Sequence, residues 1–170
     1  KNTDNKVIVG ALNHAIAPAI ARNASLQQRG FVRGRQLAQN VVDLDAAARR
    51  FGLFPELRPL LICFDCIVAF PNVAHVYMHT VLVMLGFPCG FVDAFNVFRA
   101  FCLTFVSIRG HLTFAFYFAA GVLQGCPLSG ALFVPCTEVP IVLHRRVVSE
   151  PGQAVIRVCA DDIGAALSSI

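Results

Sequence analysis

Apolar and polar positions alternate along this chain in two rhythms, and each rhythm predicts its own elements. Residues 6–22 are apolar at helical spacing and predict a helix, with Pro18 as a bend. Gln36 to Arg50 predicts an amphipathic helix whose stripe is Leu37, Val41, Leu44 and Ala48, with Arg49 and Arg50 set favourably against the dipole in its last turn. Ala74 to Leu85 predicts a further helix, ended by Gly86 and Pro88, and Phe91 to Cys102 another, with the stripe Phe91, Phe95, Phe98 and Cys102. Leu128 to Val142 also reads as helical, but Pro135 predicts a kink or an early end. Strands are expected elsewhere. Leu60 to Phe64 is a short apolar run between Pro59 and Asp65 and reads as a buried strand. Leu103 to Phe118 predicts two strands joined around Arg109-Gly110-His111, and Ala154 to Leu167 a strand, a tight turn at Asp161-Asp162-Ile163-Gly164 and a second strand. The mixture points to an α+β domain, a small antiparallel sheet backed by helices.

Composition narrows this picture in one direction. The chain has 170 residues, 56% of them hydrophobic and 14% charged, against the quarter or so of charged residues in an ordinary soluble domain. From Pro59 to Thr137 the formal charges are Asp65, Asp93, Arg99 and Arg109 alone, while arginines gather at 22, 29, 33, 35, 49 and 50. A net charge of +4 permits contact with phosphate without requiring it. The seven cysteines sit mostly in apolar runs, which suits reduced, buried thiols in an intracellular protein, nuclear or cytoplasmic. Cys63-x-x-Cys66 has the spacing of half a zinc site, but no second pair answers it. No signal peptide is read at the start. Two windows, Cys66 to Val92 and Gly110 to Thr137, lack Asp, Glu, Lys and Arg over a length that could span a bilayer. Pro and Gly interrupt both, so a core with intervening turns explains them at least as well, and a membrane assembly stays as the alternative setting.

Candidate chemistry rests on carboxylates. Asp65, Asp161 and Asp162 stand at the ends of apolar strand-like segments, where an unpaired carboxylate is costly. Two readings fit each of them: a cap on a helix or turn, or an oxygen ligand for hard divalent ions of the magnesium type. Nucleotidyl transfer needs two such ions about 4 Å apart. A thiol enzyme built on Cys126 or Cys159 with a histidine has no supporting spacing.

The segment Gly121-Val122-Leu123-Gln124-Gly125-Cys126-Pro127-Leu128-Ser129, followed by Ala160-Asp161-Asp162, resembles the palm of a reverse transcriptase of non-LTR (LINE-like) retrotransposons. Three further segments resemble the same family in order: Asn2 to Ile8; Gln28 to Arg35, with Arg29 where a small residue is usual; and Phe64 to His75, followed by Leu85-Gly86-Phe87-Pro88. The resemblance implies a fingers–palm fold, with residues 1–58 fingers-like, carrying a template-contact loop, and residues 59–170 palm-like. It implies an RNA-directed DNA polymerase using two Mg2+ (or Mn2+) ions held by Asp65, Asp161 and Asp162. Phe70 would be the bulky side chain that rejects a ribose 2′-hydroxyl; a plain core phenylalanine is the other reading. Gln124 would sit by the incoming nucleotide or the template base, with Gly125 in the nucleotide site allowing close backbone approach. Arg33 and Arg35 would touch template phosphates, or else belong to a solvated loop. The implied partners are an RNA template, a DNA primer and a deoxynucleotide. Val68, Pro71 and Cys159 depart from the family pattern without removing a metal ligand. The start at Lys1 and the end at Ile170, before a thumb, lead us to expect a fragment with no polymerase activity of its own. The alternative is a domesticated, non-catalytic structural subunit whose apolar surface is buried against protein partners.

Overall fold

The computed structural model describes residues 3–100, 103–122, 125–147 and 153–169. Helix α1 (Thr3–Asn23) leads through the loop at residues 24–37 into α2 (Ala38–Gly52), and strand β1 (Leu60–Asp65) follows. A short α3 (Ala69–Asn72), α4 (His75–Met84) and α5 (Cys89–Ala100) precede the hairpin β2 (Leu103–Ile108) and β3 (His111–Tyr117). Helix α6 (Ser129–Val147) then leads to a last hairpin, β4 (Ala154–Cys159) and β5 (Asp162–Leu167). The fold is α+β, with two antiparallel sheets, one of order β1-β5-β4 and one of β2-β3.

The main core lies among helices. Val9, Ile20 and Ala24 meet Met78, Leu82, Phe91, Val92 and Phe95, and Leu128, Leu132, Val134 and Cys136 close the cluster. Smaller clusters cover the two faces of the three-stranded sheet. Ala47 and Phe51 of α2 pack with Ala166 on one face, and Ile141 of α6 packs with Ile156, Val158 and Ala165 on the other. This follows from strand alternation, since residues 156 and 165 are register partners on the face opposite 155 and 166.

Three elements depart from expectation for identifiable reasons. β1 is an edge strand outside the cover of these two helices, and all of its residues except Ile62 are exposed rather than buried. The buried residues of α2 are Asn40, Ala47 and Phe51, with Leu44 packed beside them, so the stripe is turned away from Leu37 and Val41, which are exposed. A polar residue leads this face because Asn40 is fully engaged there, its Nδ2 donating to the Val158 carbonyl at 3.0 Å and its Oδ1 accepting from Arg29 at 3.0 Å. Helix α6 runs on through Pro135 and Pro140. Pro140 has no N–H to offer the Cys136 carbonyl four residues back, and the Tyr77 hydroxyl of α4 donates to that carbonyl at 2.7 Å instead. Among the described residues no helix is long and apolar enough to cross a membrane.

Candidate active site

The hairpin carrying Asp161 and Asp162 turns in two residues, Ala160 and Asp161, between the register partners Cys159 and Asp162. Asp162 is also the register partner of Asp65 on β1. One row across the sheet therefore reads Cys159, Asp162, Asp65, with side chains on one face and opposed Cβ atoms roughly 5 Å apart. Like charges directly opposite one another in a sheet are destabilising. Among the described residues, Asp65, Asp161 and Asp162 have no ion pair, and nothing donates a hydrogen bond to their carboxylates. The described ion pairs belong to Asp43 and Asp45. The Cys159 thiol is pushed up by burial and then by the charges of Asp162 and Asp161. The carboxylates themselves do not converge: among the described residues no group of three or more His, Cys, Asp or Glu side chains is gathered closely enough to hold an ion. Carboxylate oxygens are hard donors of the kind that Mg2+ and Mn2+ take, but in this arrangement the three are not gathered about one point.

The turn is strained. Ala160 has φ +58°, and Asp161 is not among the positive-φ residues, so glycine's favoured place in a tight hairpin turn is filled by alanine. Its surroundings hold it there. Gln28, fully buried, accepts hydrogen bonds at its Oε1 from the Ala160 N–H (3.1 Å) and the Gly30 N–H (2.8 Å), and its Nε2 donates to Thr137 Oγ1 of α6 at 2.9 Å. The loop backbone is laced to β4 as well, with Arg29 N–H donating to the Val158 carbonyl (2.9 Å) and Val158 N–H to the Gln27 carbonyl (2.8 Å). Gly30 approaches so closely that a Cβ there would sit 2.3 Å from the Ala160 nitrogen. Only glycine fits that position without displacing backbone.

Next to Gly30, Phe31 begins a cavity of about 460 Å3, whose lining includes Phe70, Gly125, Cys126, Gly130 and Asn13. Phe70 is wedged between two rings, stacked on Phe133 at 4.2 Å and edge-on to Phe31 at 5.6 Å. Gly130 is tailored to Phe31, since an added Cβ would fall 2.5 Å from its ring. Backbone hydrogen bonds zip Phe70 to the segment that leads into Gly125: Val122 N–H donates to the Phe70 carbonyl (2.9 Å) and Gly121 N–H to the Val73 carbonyl (2.8 Å). His75 reinforces the zip, its Nε2 2.8 Å from the Gly121 carbonyl. Phe70 and Gly125 are thus brought to one cavity, whereas Gln124 lies outside the described residues.

Arg33 and Arg35 part company. Arg33 is exposed and lines a second cavity of about 460 Å3 with Asn13, His14 and Phe31. Arg35 is half-buried, and its guanidinium donates to the carbonyls of Ala21 (3.2 Å), Ala24 (2.8 Å), Ser25 and Gln28 (2.6 Å). It closes the C-terminal end of α1, where helix carbonyls lack partners. The expectation of a phosphate contact at Arg35 gives way to this structural role. For Gln28, Gly30 and Phe31 the sequence signal is the Gln28 to Arg35 segment, which does not show that Gln28 and Gly30 meet the turn at Ala160; Asn13 carries no sequence signal.

No family model matches the chain. Over 171 aligned residues it is 32% identical to the transposon TX1 uncharacterized 149 kDa protein of Xenopus laevis, an alignment that takes in 95% of this chain and 13% of that protein's length. The chain is therefore similar, along almost all of its length, to one segment of a much longer transposon protein.

Proposed function

We propose that this chain is the fingers–palm part of a non-LTR-type reverse transcriptase, an RNA-directed DNA polymerase working by two-metal nucleotidyl transfer. Residues 1–58 form the fingers-like part and residues 59–170 the palm-like part. The observation that carries the reading is the unneutralised carboxylate pair Asp65 and Asp162, opposed in register with Asp161 beside them in a strained turn. Asp65 and Asp162 are exposed, so a divalent ion has access to both, and backbone strain gathers at functional sites. Similarity to a transposon protein supports the same reading.

In this reading the 3′-oxygen of a DNA primer attacks the α-phosphorus of a deoxynucleotide, the new P–O bond forms, the bond to the pyrophosphate oxygen breaks, and the hydroxyl proton passes to solvent. Divalent ions, when bound, supply charge neutralisation for the attacking and leaving oxygens. Asp65, Asp161 and Asp162 are the residues that would hold the ions. Phe70, locked between Phe31 and Phe133, is a rigid wall of the nucleotide cavity, and Gly125 lets backbone approach the base. Arg33, exposed at the second cavity, offers its guanidinium to template phosphate.

Mn2+ binding, followed by its paramagnetic signal, tests the reading directly. Wild-type chain should bind, and Asp161→Asn and Asp65→Asn should each weaken binding by at least about tenfold, the lower end of what even an outer-sphere partner contributes. Binding unaffected by both substitutions removes the reading. A second reading, a non-catalytic structural subunit, is favoured by the exposed apolar hairpin β2-β3; it is indifferent to the aspartates and sensitive to changes on that hairpin.

A further inference from the structure

We propose that Gln28 is a positioning residue for the Asp161–Asp162 turn, holding the carboxylates in place through the backbone rather than by touching metal or substrate. The inference rests on the polymerase reading for its functional consequence and on geometry alone for its mechanism. Three facts converge. The turn carries a non-glycine residue, Ala160, at φ +58°, a conformation that persists only where surroundings over-determine it. One side-chain oxygen, Gln28 Oε1, receives both the Ala160 N–H and the Gly30 N–H, so the turn and the loop pressed against it share a single acceptor. The other end of the same amide is fixed to Thr137 on α6, whose hydroxyl donates onward to the Val134 carbonyl at 2.8 Å. The oxygen therefore cannot swing away without breaking a second bond. Gln28 is 0% exposed, so no water replaces it.

The chain of contacts has a direction. α6 fixes Thr137, Thr137 fixes the amide of Gln28, and that amide fixes the Ala160 N–H, one residue from Asp161. Glutamine is the residue type this geometry demands, because it must donate at one end and accept twice at the other. Glutamate would lose the donor and bury a charge beside two aspartates. Methionine, similar in length, would leave two buried N–H groups without a partner.

Two readouts on Gln28→Met separate the inference from the reading beneath it. The first is exchange of the Ala160 amide followed by NMR. It should be protected in wild type and exchange at least about tenfold faster in Gln28→Met, while amides in α4 and α5 stay unchanged. The second is Mn2+ affinity, expected to fall about tenfold, as for loss of an outer-sphere partner. That loss should shrink in the Ala160→Gly background, where the turn no longer needs an external hold. Unchanged Ala160 protection overturns the positioning role whatever the metal does. Protection lost with Mn2+ affinity intact also overturns it, since the turn's order would then not matter to the carboxylates. Wild type failing to bind Mn2+ overturns the polymerase reading and leaves the amide readout to decide the geometry. If Gln28→Met does not fold, Thr137→Val frees the amide at its far end and should raise Ala160 exchange in the same direction; no rise sinks the proposal.

Discussion

Asp43 collects hydrogen bonds from three side chains: Gln39 at 2.8 Å, Arg157 at 2.7 Å and Arg29 at 2.9 Å. Donation by Gln39 first, then by Arg157 and Arg29, holds its carboxyl well below the usual carboxylate range, against an opposing push from burial. The network joins the Gln28–Gly30 loop, α2 and β4, so it braces the same turn from outside. Because the folded state lowers the pKa of this carboxyl, the associated stability is complete above the unfolded value of about 3.9 and is lost as pH falls below it. Thermal unfolding followed from pH 7 downward should therefore show a loss beginning near pH 4, and Asp43→Asn should be less stable at neutral pH but flatter across the acid range. A wild-type profile parallel to that of Asp43→Asn would contradict the assignment. At this scale the sequence was only partly legible. It presents Arg29, Arg33 and Arg35 as three similar cations, and their different fates, ion pair, exposed side chain and helix cap, are decided by partners far along the chain. Asp65, Asp161 and Asp162 were easier to single out because each interrupts an apolar run.

Elements were legible where local pattern and tertiary partner agree. The β4-β5 hairpin forms where alternation predicts it, although its turn is Ala160-Asp161 rather than Asp161 to Gly164, and the β2-β3 hairpin turns at Arg109-Gly110. Pattern misled where a distant group satisfied something that local rules penalise. Asn40 on the inner face of α2, met by Val158 and Arg29, and the proline-bearing α6, where Tyr77 meets the carbonyl that Pro140 leaves open, are the two clear cases. The second can be tested. Tyr77→Phe keeps the ring and removes only the donor to the Cys136 carbonyl, which has no helical N–H to fall back on. The variant should lose about 1–2 kcal/mol by denaturant unfolding, the cost of an unmet buried acceptor. Restoring the helical donor with Pro140→Ala in the same chain should recover much of it. If Tyr77→Phe costs nothing, α6 tolerates its prolines by some other means. Cys136 itself is sealed in this packing, its thiol pushed up to about 12 by burial, and should resist alkylation in the folded chain.

At the scale of the whole molecule, the exposed surface is larger than a compact monomer of this mass presents. A compact chain of 18.4 kDa is expected to expose about 8,200 Å2, and this one exposes 10919 Å2. Several exposed apolar residues lie together. On β3 and just past it, Leu112, Phe114, Phe116, Tyr117 and Phe118 are all exposed, Leu112 by 76%, and among the described residues the hairpin has no third strand. A hairpin alone is marginal in water, and an apolar one is also a template for pairing with other chains. The ring contacts within it, Phe105 against Phe114 at 6.0 Å and Phe114 against Tyr117 at 4.8 Å, cover little of this area. The isolated chain should therefore bind a hydrophobic dye while natively folded, and self-associate at micromolar concentration in light scattering. Leu112 and Tyr117 stand on one face of the hairpin, the register shifting between Thr104 and Phe105, so changing both to lysine places charge where association would occur. Exposed substitutions of this kind usually shift stability by no more than about 0.5 kcal/mol, so the double variant should keep the wild-type unfolding midpoint while dye binding and association fall together. A wild-type chain that is monomeric and dye-silent would mean that the hairpin folds back onto the body in solution. A double variant that still associates would move the adhesive surface to β1, where Leu61 and Phe64 are also exposed.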